Sequence, residues 1–342
     1  MMPALEVIEP GLMTTIQDLG RFGHQAQGVP SSGALDAGNL RLANALVHNA
    51  EGLGALEMRI LGPTFKVTAG TVRIALTGTE GGIEISGGPV AFVPAYRSVV
   101  LKAGQSFRIG RMSDSAVCYL AVEGGFDLPM IYGSQSTYVS GRFGGFEGRT
   151  LQRGDLLPLC LEEASDKPVA LCSEPLLYQQ SGPIRVVPGP QDDYFDEAAL
   201  RAFQSQVYHI SAESNRMGLR LLGEPIAHAK GADINSDGIV TGSIQVPGSG
   251  LPIILLADHQ TTGGYPKIAT VASADLARLG RMVPGTPLQF RMVSVEEAET
   301  AAIALETHLR SLIETLVMPS DEQELLDHLL MSKSLISGPI VD

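Results

Sequence analysis

The stretch "ADHQTTGGYPKIA", residues 257–269, follows the apolar run Leu251–Leu256. It places an acid, an imidazole, two threonine hydroxyls and two glycines at the tip of what reads as a buried strand. A plain turn needs the glycines but not the rest, whereas a reaction centre has a use for all of them. Asp258 could take a proton from an amide nitrogen or orient that nitrogen, provided burial or neighbours tune it. His259 follows directly. Side chains alternate along a strand, so only one of the two addresses a given pocket unless a turn begins between them. Thr261, Thr262, Gly263 and Gly264 supply hydroxyls and closely approaching backbone N–H groups, the parts of an oxyanion hole, and Tyr265 closes the run. The same residues also suit an ordinary turn in which Asp258 bonds its own loop.

Three further stretches carry polar groups among glycines. In "SNRMGLRLLGEP" (214–225) the amide of Asn215 and the guanidinium of Arg216 could read a carboxylate or carbamoyl group at two points. The alternative is an Asn-mediated turn with a surface arginine. "TTIQDLGRFG" (14–23) and "GVPSSGALD" (28–36) bring Gln17, Asp18, Arg21, Ser32 and Asp36 as secondary candidates to face a ligand or partner, or else to scaffold their loops. The long loop "GSQSTYVSGRFGGFEGRTLQRGD" (133–155) holds Arg142 and Arg149 and enough glycine for an anion-binding backbone nest.

What is missing narrows the chemistry. No lysine is preceded by glycine, so there is no Walker A loop, and no G-x-G-x-x-G fingerprint is present. The seven histidines form no H-E-x-x-H, no Cys/His cluster has zinc spacing, and no metal is expected. A G-x-S-x-G elbow and a biotin-carrying Met-Lys-Met segment are also absent. The net charge of −13 argues against a nucleic-acid partner. The three cysteines (Cys118, Cys160, Cys172) have apolar neighbours and read as inert buried thiols. Glu6 and Glu9 fall where a signal peptide would be apolar, and no run approaches a membrane span, so the cytoplasm is the expected compartment.

The elements that must position these residues are mostly short strands. With 39 glycines and 21 prolines punctuating β-favouring runs, strands are expected at 72–76, 106–110, 117–122, 183–187, 253–255 and 268–272. A turn glycine followed by alternating apolar residues recurs at 99–109, 149–159 and 280–290, as in one β unit used repeatedly within two related domains. Helices are few. Asp36 caps one with Leu40, Ala43 and Val47 on a face, and Asp192 and Asp193 open another carrying Phe195, Ala199 and Phe203. Ser273–Leu279 forms a turn or two ended by Gly280, and 295–317 is the longest, broken by Pro319. Ser320 and Gln323 offer a capping box for a last helix to about Met331. The mixed stretch 161–182 marks a boundary near 180. The division is then 1–180, barrel-like, and 181–342, a second β domain with a helical tail.

The motifs "TTIQDLGR", "SGALD", "GSQST", "GGFEGR", "PGPQDDYF", "SNRMG" and "DHQTTGGYPKIA", in this order over about residues 3–295, resemble the carboxyltransferase-domain family, also called allophanate hydrolase subunit 2-like. Its members include the C-type component of bacterial ATP-dependent 5-oxoprolinase, half of the urea carboxylase carboxyltransferase domain, and a partner of a sporulation-kinase inhibitor. The resemblance implies a mainly β fold of two cyclophilin-like β-barrel domains. The urea carboxylase branch carries D-G-P-S-L-G-G at the matching place, so Asp258, Gly263 and Gly264 coincide while His259 faces a glycine. Asn215 and Arg216 match a segment that lies near the substrate in that branch. The family implies amide activation by Asp258, with His259 auxiliary, in a complex with A-type and B-type subunits. ATP would be shared with those partners. The alternatives are a carboxyltransferase half using carboxybiotin on a separate carrier, and a regulatory partner of a kinase inhibitor. The stretch from Pro319 to Asp342 is assigned no role.

Overall fold

The computed structural model describes residues 3–176, 178 and 182–319. Alternating apolar residues in the first half build two antiparallel sheets. One runs in the order Leu156–Pro158, Ala4–Glu9, Thr64–Val67, Ser106–Ile109, Gly82–Ser86, Phe92–Pro94. The other runs Thr15–Gln17, Ala55–Arg59, Val117–Val122, Thr71–Thr77, Ser98–Lys102. They share a core that takes Leu5, Phe65 and Phe107 from the first sheet and Ile16, Leu56 and Leu120 from the second.

Strand Val117–Val122 is buried at every position. Cys118, Leu120 and Val122 enter that core, while Val117, Tyr119 and Ala121 face another, formed with helix α1 (Ala37–Leu46). A strand covered on both faces loses the polar alternation of a half-exposed one. The Asp36 carboxylate caps α1, accepting from Asn39 N at 3.0 Å, and Leu40, Ala43 and Val47 are buried as the spacing requires.

The second half is one eight-stranded sheet, in the order Pro287–Leu288, Tyr208–Ile210, Gly218–Leu222, Ile253–Leu255, Ser243–Gln245, Lys267–Val271, Ile184–Pro188, Phe290–Met292. Its two ends belong to one continuous segment split only by Gln289, so the sheet curls into a nearly closed barrel. Ile184, Ile244, Ile254 and Phe290 fill it, with Phe203 stacked on Phe290 at 4.5 Å. The fold is mainly β with four helices among the described residues, as expected.

The details depart from the sequence reading in four places. Helix α2 (Glu197–Ser205) is capped by Asp196, which accepts from Ala199 N at 2.8 Å, while Asp192 and Asp193 lie in a preceding 3-10 turn. Gly280 does not stop α3 (Ser273–Arg281); it is buried inside it because Leu35 passes so close that a Cβ would sit 2.9 Å from the Leu35 carbonyl oxygen. Helix α4 (Val295–Glu314) ends three residues early, since Val317 leaves to bond Leu171. Cys160 is exposed, whereas Cys118 and Cys172 are buried. Burial pushes all three thiols up from their ordinary value. The expected helix at 320–331 lies outside the described residues.

Candidate functional site

At the tip of strand Ile253–Leu255 one arginine reaches deep into the first half of the chain. Asp258 accepts from Arg216 Nε at 2.8 Å and Nη2 at 3.2 Å. Arg216 Nη1 donates to Glu57 Oε1 at 2.5 Å and Nη2 to the Gly33 carbonyl at 2.6 Å. Glu57 Oε2 in turn accepts from the Tyr119 hydroxyl at 2.7 Å and from Leu35 N at 2.9 Å. Asp258, Arg216 and Glu57 are each at most 6% exposed, so this is a buried acid–arginine–acid clamp between the two β units. Burial alone would lower the Arg216 guanidinium's pKa, but the charges of Glu57 and Asp258 outweigh it and raise it.

The clamp separates Asn215 from Arg216. Asn215 is exposed and its Oδ1 accepts from Met217 N at 2.8 Å, closing its own turn, while Arg216 points inward. A two-point reader made of both is not assembled here.

A turn begins at Ala257, which lets Asp258 and His259 both be buried. His259 Nδ1 lies 2.6 Å from the Gln260 carbonyl. A carbonyl can only accept, so Nδ1 carries the hydrogen and Nε2 keeps a lone pair. Burial lowers the imidazole's pKa; the Gln260 carbonyl and Asp258 oppose it without winning. Thr262–Gly263 pairs with Asp237–Gly238, and the Thr261 and Gly264 carbonyls accept from Ile239 and Ile234 N–H groups. Tyr265 is exposed beside Arg220 and Ile253 on the barrel's outer face.

The N-terminal loops contribute unequally. Asp18 is spent on organising the 133–155 loop: it accepts from Gln135 N at 2.6 Å, Ser134 Oγ at 2.7 Å and Ser136 Oγ at 2.5 Å. Asp36 is committed to its helix cap, Tyr178 and Arg281. Gln17 Nε2 donates to Thr15 and Thr137, leaving Oε1 buried and unpaired. Ser32 takes a left-handed φ of 52°, donates its N–H to the Ala257 carbonyl at 3.0 Å, and keeps a buried Oγ without a partner.

Arg21 stands out among them. It is 1% exposed, its guanidinium lies 4.9 Å over the Phe143 ring, and Nη2 donates to the Ser136 carbonyl. Nε and Nη1 are buried with no partner. Burial lowers its pKa, while Asp18 and Asp258 pull it up and Arg216 pushes it down, which places Arg21 within electrostatic reach of the clamp. Two buried donors aimed at nothing suit an anionic oxygen. In the same loop, Arg149 is paired with Asp155 at 2.7 Å and with Glu147 at 2.7 Å, so it is already engaged.

Glu57, Tyr119 and Phe143 were not singled out from the sequence. A glutamate inside the apolar run "ALEMR" was the available signal for Glu57, since a buried carboxylate needs a cation.

Two mainly β units meet at this clamp, and sequence comparison gives the class: a carboxyltransferase-type domain. The chain belongs to the family described as carboxyltransferase domain, subdomain A and B, whose model matches residues 27–292. It is 39% identical to the C-type component of 5-oxoprolinase from Escherichia coli over 295 residues, 86% of this chain and 93% of that protein. To urea amidolyase of Saccharomyces cerevisiae it is 33% identical, over 94% of this chain but 19% of the relative. The crystal structure of the K. lactis urea amidolyase superposes with a TM-score of 0.82 at 30% identity, covering 91% of this chain and 20% of that one. The chain thus spans about a fifth of the urea amidolyases it matches.

Proposed function

We propose that this chain is the C-type component of an ATP-dependent 5-oxoprolinase, a cytoplasmic complex with A-type and B-type subunits. It would turn 5-oxoproline, ATP and water into glutamate, ADP and phosphate. The observation that carries this reading is the 39% identity to the corresponding Escherichia coli 5-oxoprolinase component across nearly the full length of both chains.

ATP fits this chain in part. The two unpaired donors of Arg21 suit one anionic oxygen, but the sequence has no Walker A loop to cradle a triphosphate. Arg21 would hold a phosphoryl oxygen, and the partner subunits the remainder. When bound, ATP supplies a phosphoryl group that activates an amide oxygen. The chain's own residues do the rest. His259, neutral and with Nε2 free to accept, takes a proton from the amide nitrogen or from water. Asp258 acts through Arg216: both of its oxygens face the guanidinium, so its charge holds the junction in shape and supports His259 electrostatically. The backbone of Thr261–Gly264 flanks the developing oxyanion.

A second reading, half of a biotin-dependent carboxyltransferase, is favoured by the 0.82 superposition on the K. lactis urea amidolyase. Carboxybiotin also offers an anionic oxygen to Arg21. Co-expression with A-type and B-type subunits followed by size exclusion and a glutamate-release assay separates the two. Co-elution and ATP-dependent release of glutamate that requires this chain are expected. Carboxylation of urea by a carboxylated biotin carrier, with no glutamate release, would replace the first reading by the second.

A further inference from the structure

The same motif ends in a buried lysine that the reaction scheme does not use. Lys267 and Gln245 are directly opposite in the ladder between Lys267–Val271 and Ser243–Gln245, and each is 2% exposed. Residues paired this way project from one face of the sheet. An ammonium and a carboxamide therefore present their N–H donors side by side on the face opposite the core-facing Ile244, beneath the 234–239 and 261–264 segments. Lys267 Nζ donates to Asp237 Oδ2 at 2.9 Å, and Gln245 Nε2 is buried with no partner. Buried donors are costly unless something takes them up.

The acceptor that is present comes from outside the barrel. Asp237, its side chain 53% exposed, lies in a polar flap at 234–239. The flap is held down by Ile234 N to the Gly264 carbonyl (2.9 Å), Ile239 N to the Thr261 carbonyl (3.1 Å) and the short pairing with Thr262–Gly263. Gln191 Nε2 also donates to Asp237, at 3.3 Å. Gly263 stands directly over the carboxamide: a Cβ there would lie 2.5 Å from Gln245 Nε2 and 2.7 Å from Ile239 Cδ1. Only glycine lets the 261–264 run pack this closely over the orphaned donor, so that run must shift with the flap for a ligand to reach it.

We propose that Lys267 and Gln245 form a binding subsite for a ligand carboxylate, occupied internally by Asp237 until the ligand displaces it. Lys267 already selects a carboxylate, and the unpaired Gln245 N–H supplies the second donor that Asp237 does not use. A segment held by so few bonds, with residues 235–238 all exposed, lifts at small cost. The identity of the ligand rests on the 5-oxoprolinase reading: 5-oxoproline is a small lactam with one carboxylate. Capture here would set that lactam beside the Thr261–Gly264 run on which the flap rests.

Ligand-observed NMR titration of the full chain with 5-oxoproline and, separately, with propionate tests the subsite. Asp237→Asn removes the internal competitor and should bind at least about tenfold more tightly than the unmodified chain. Lys267→Met and Gln245→Leu, folded by circular dichroism, should each lose binding. The same pattern with propionate alone supports the subsite and counts against the 5-oxoproline assignment only. Binding of 5-oxoproline that is equal in all variants, or the absence of any carboxylate binding even in Asp237→Asn, overturns the subsite. Glutamate release by the complex judges the overall function independently.

Discussion

Arg21 keeps two buried donors unpaired beside an aromatic face, an arrangement that costs stability in the chain by itself. Arg21→Met retains the stem and removes the orphaned groups, so the melting temperature should hold or rise. In the complex proposed above, glutamate release should fall by about 10²-fold or more, the scale of losing an electrostatic donor. Arg21→Lys should not restore it, because an ammonium does not reproduce the fork of a guanidinium. Unchanged turnover in Arg21→Met would remove Arg21 from the site. His259 gives a pH signature. Burial holds its pKa below the ordinary 6.5, so as pH falls from that value toward the folded one the unfolded chain binds a proton that the folded chain refuses. Stability contributed by the neutral imidazole is complete above the ordinary value and declines on acidification. Urea midpoints at about pH 7.5 and about pH 5.5 should differ less in His259→Gln than in the unmodified chain. Of these residues, Arg21, Ser32, Asp258 and His259 were legible because polar groups crowd glycine-rich loops. Glu57 was not, because its partner is 159 residues away and only folding brings them together. Adjacent in sequence, Asn215 and Arg216 read as one unit, yet turn geometry sends one outward and the other in.

Strands were the readable elements, since alternation and turn glycines record them locally. The three recurring turns carry Gly104, Gly154 and Gly285 at φ 88°, 88° and 87°, and each is followed by buried apolar residues. Helix ends were less legible, because what ends or continues a helix can be a tertiary contact. Gly280 shows the difference: a residue that normally terminates helices lies inside α3 to let Leu35 pass. Gly280→Ala should gain about 1 kcal/mol of helix propensity. The new methyl must also displace the backbone and Cβ of Leu35, an overpacking cost of about 1–3 kcal/mol. A net loss in denaturant midpoint is expected, whereas a stabilised variant would mean that Leu35 yields freely. Leu35 N is bonded to Glu57, so this contact also feeds the clamp.

At the scale of the molecule, the clamp carries the most deeply buried charge that the two β units share, with Arg281–Asp36 a second, less buried pair. Arg216 uses all three nitrogens on Asp258, Glu57 and Gly33, and so ties the strand tip at 258 to the loop and strand of the first unit. Replacing Arg216 by Met leaves two buried carboxylates facing an apolar side chain. Breaking a buried pair in this way costs about 3–5 kcal/mol, mostly from the charges left behind. Glu57→Gln and Asp258→Asn each remove one charge and leave the guanidinium a neutral acceptor, so each should cost less than Arg216→Met. Because both act on one guanidinium, their double variant should deviate from additivity by at least about 0.5 kcal/mol. Urea unfolding followed by tyrosine fluorescence and far-ultraviolet circular dichroism reads all five proteins. The unmodified chain should unfold with the two probes coincident, and Arg216→Met with them separated as the two units uncouple. A loss under about 1 kcal/mol in Arg216→Met, with additive carboxamide variants, would show that the units are held without the clamp, by their apolar contacts and by other links such as Arg281–Asp36.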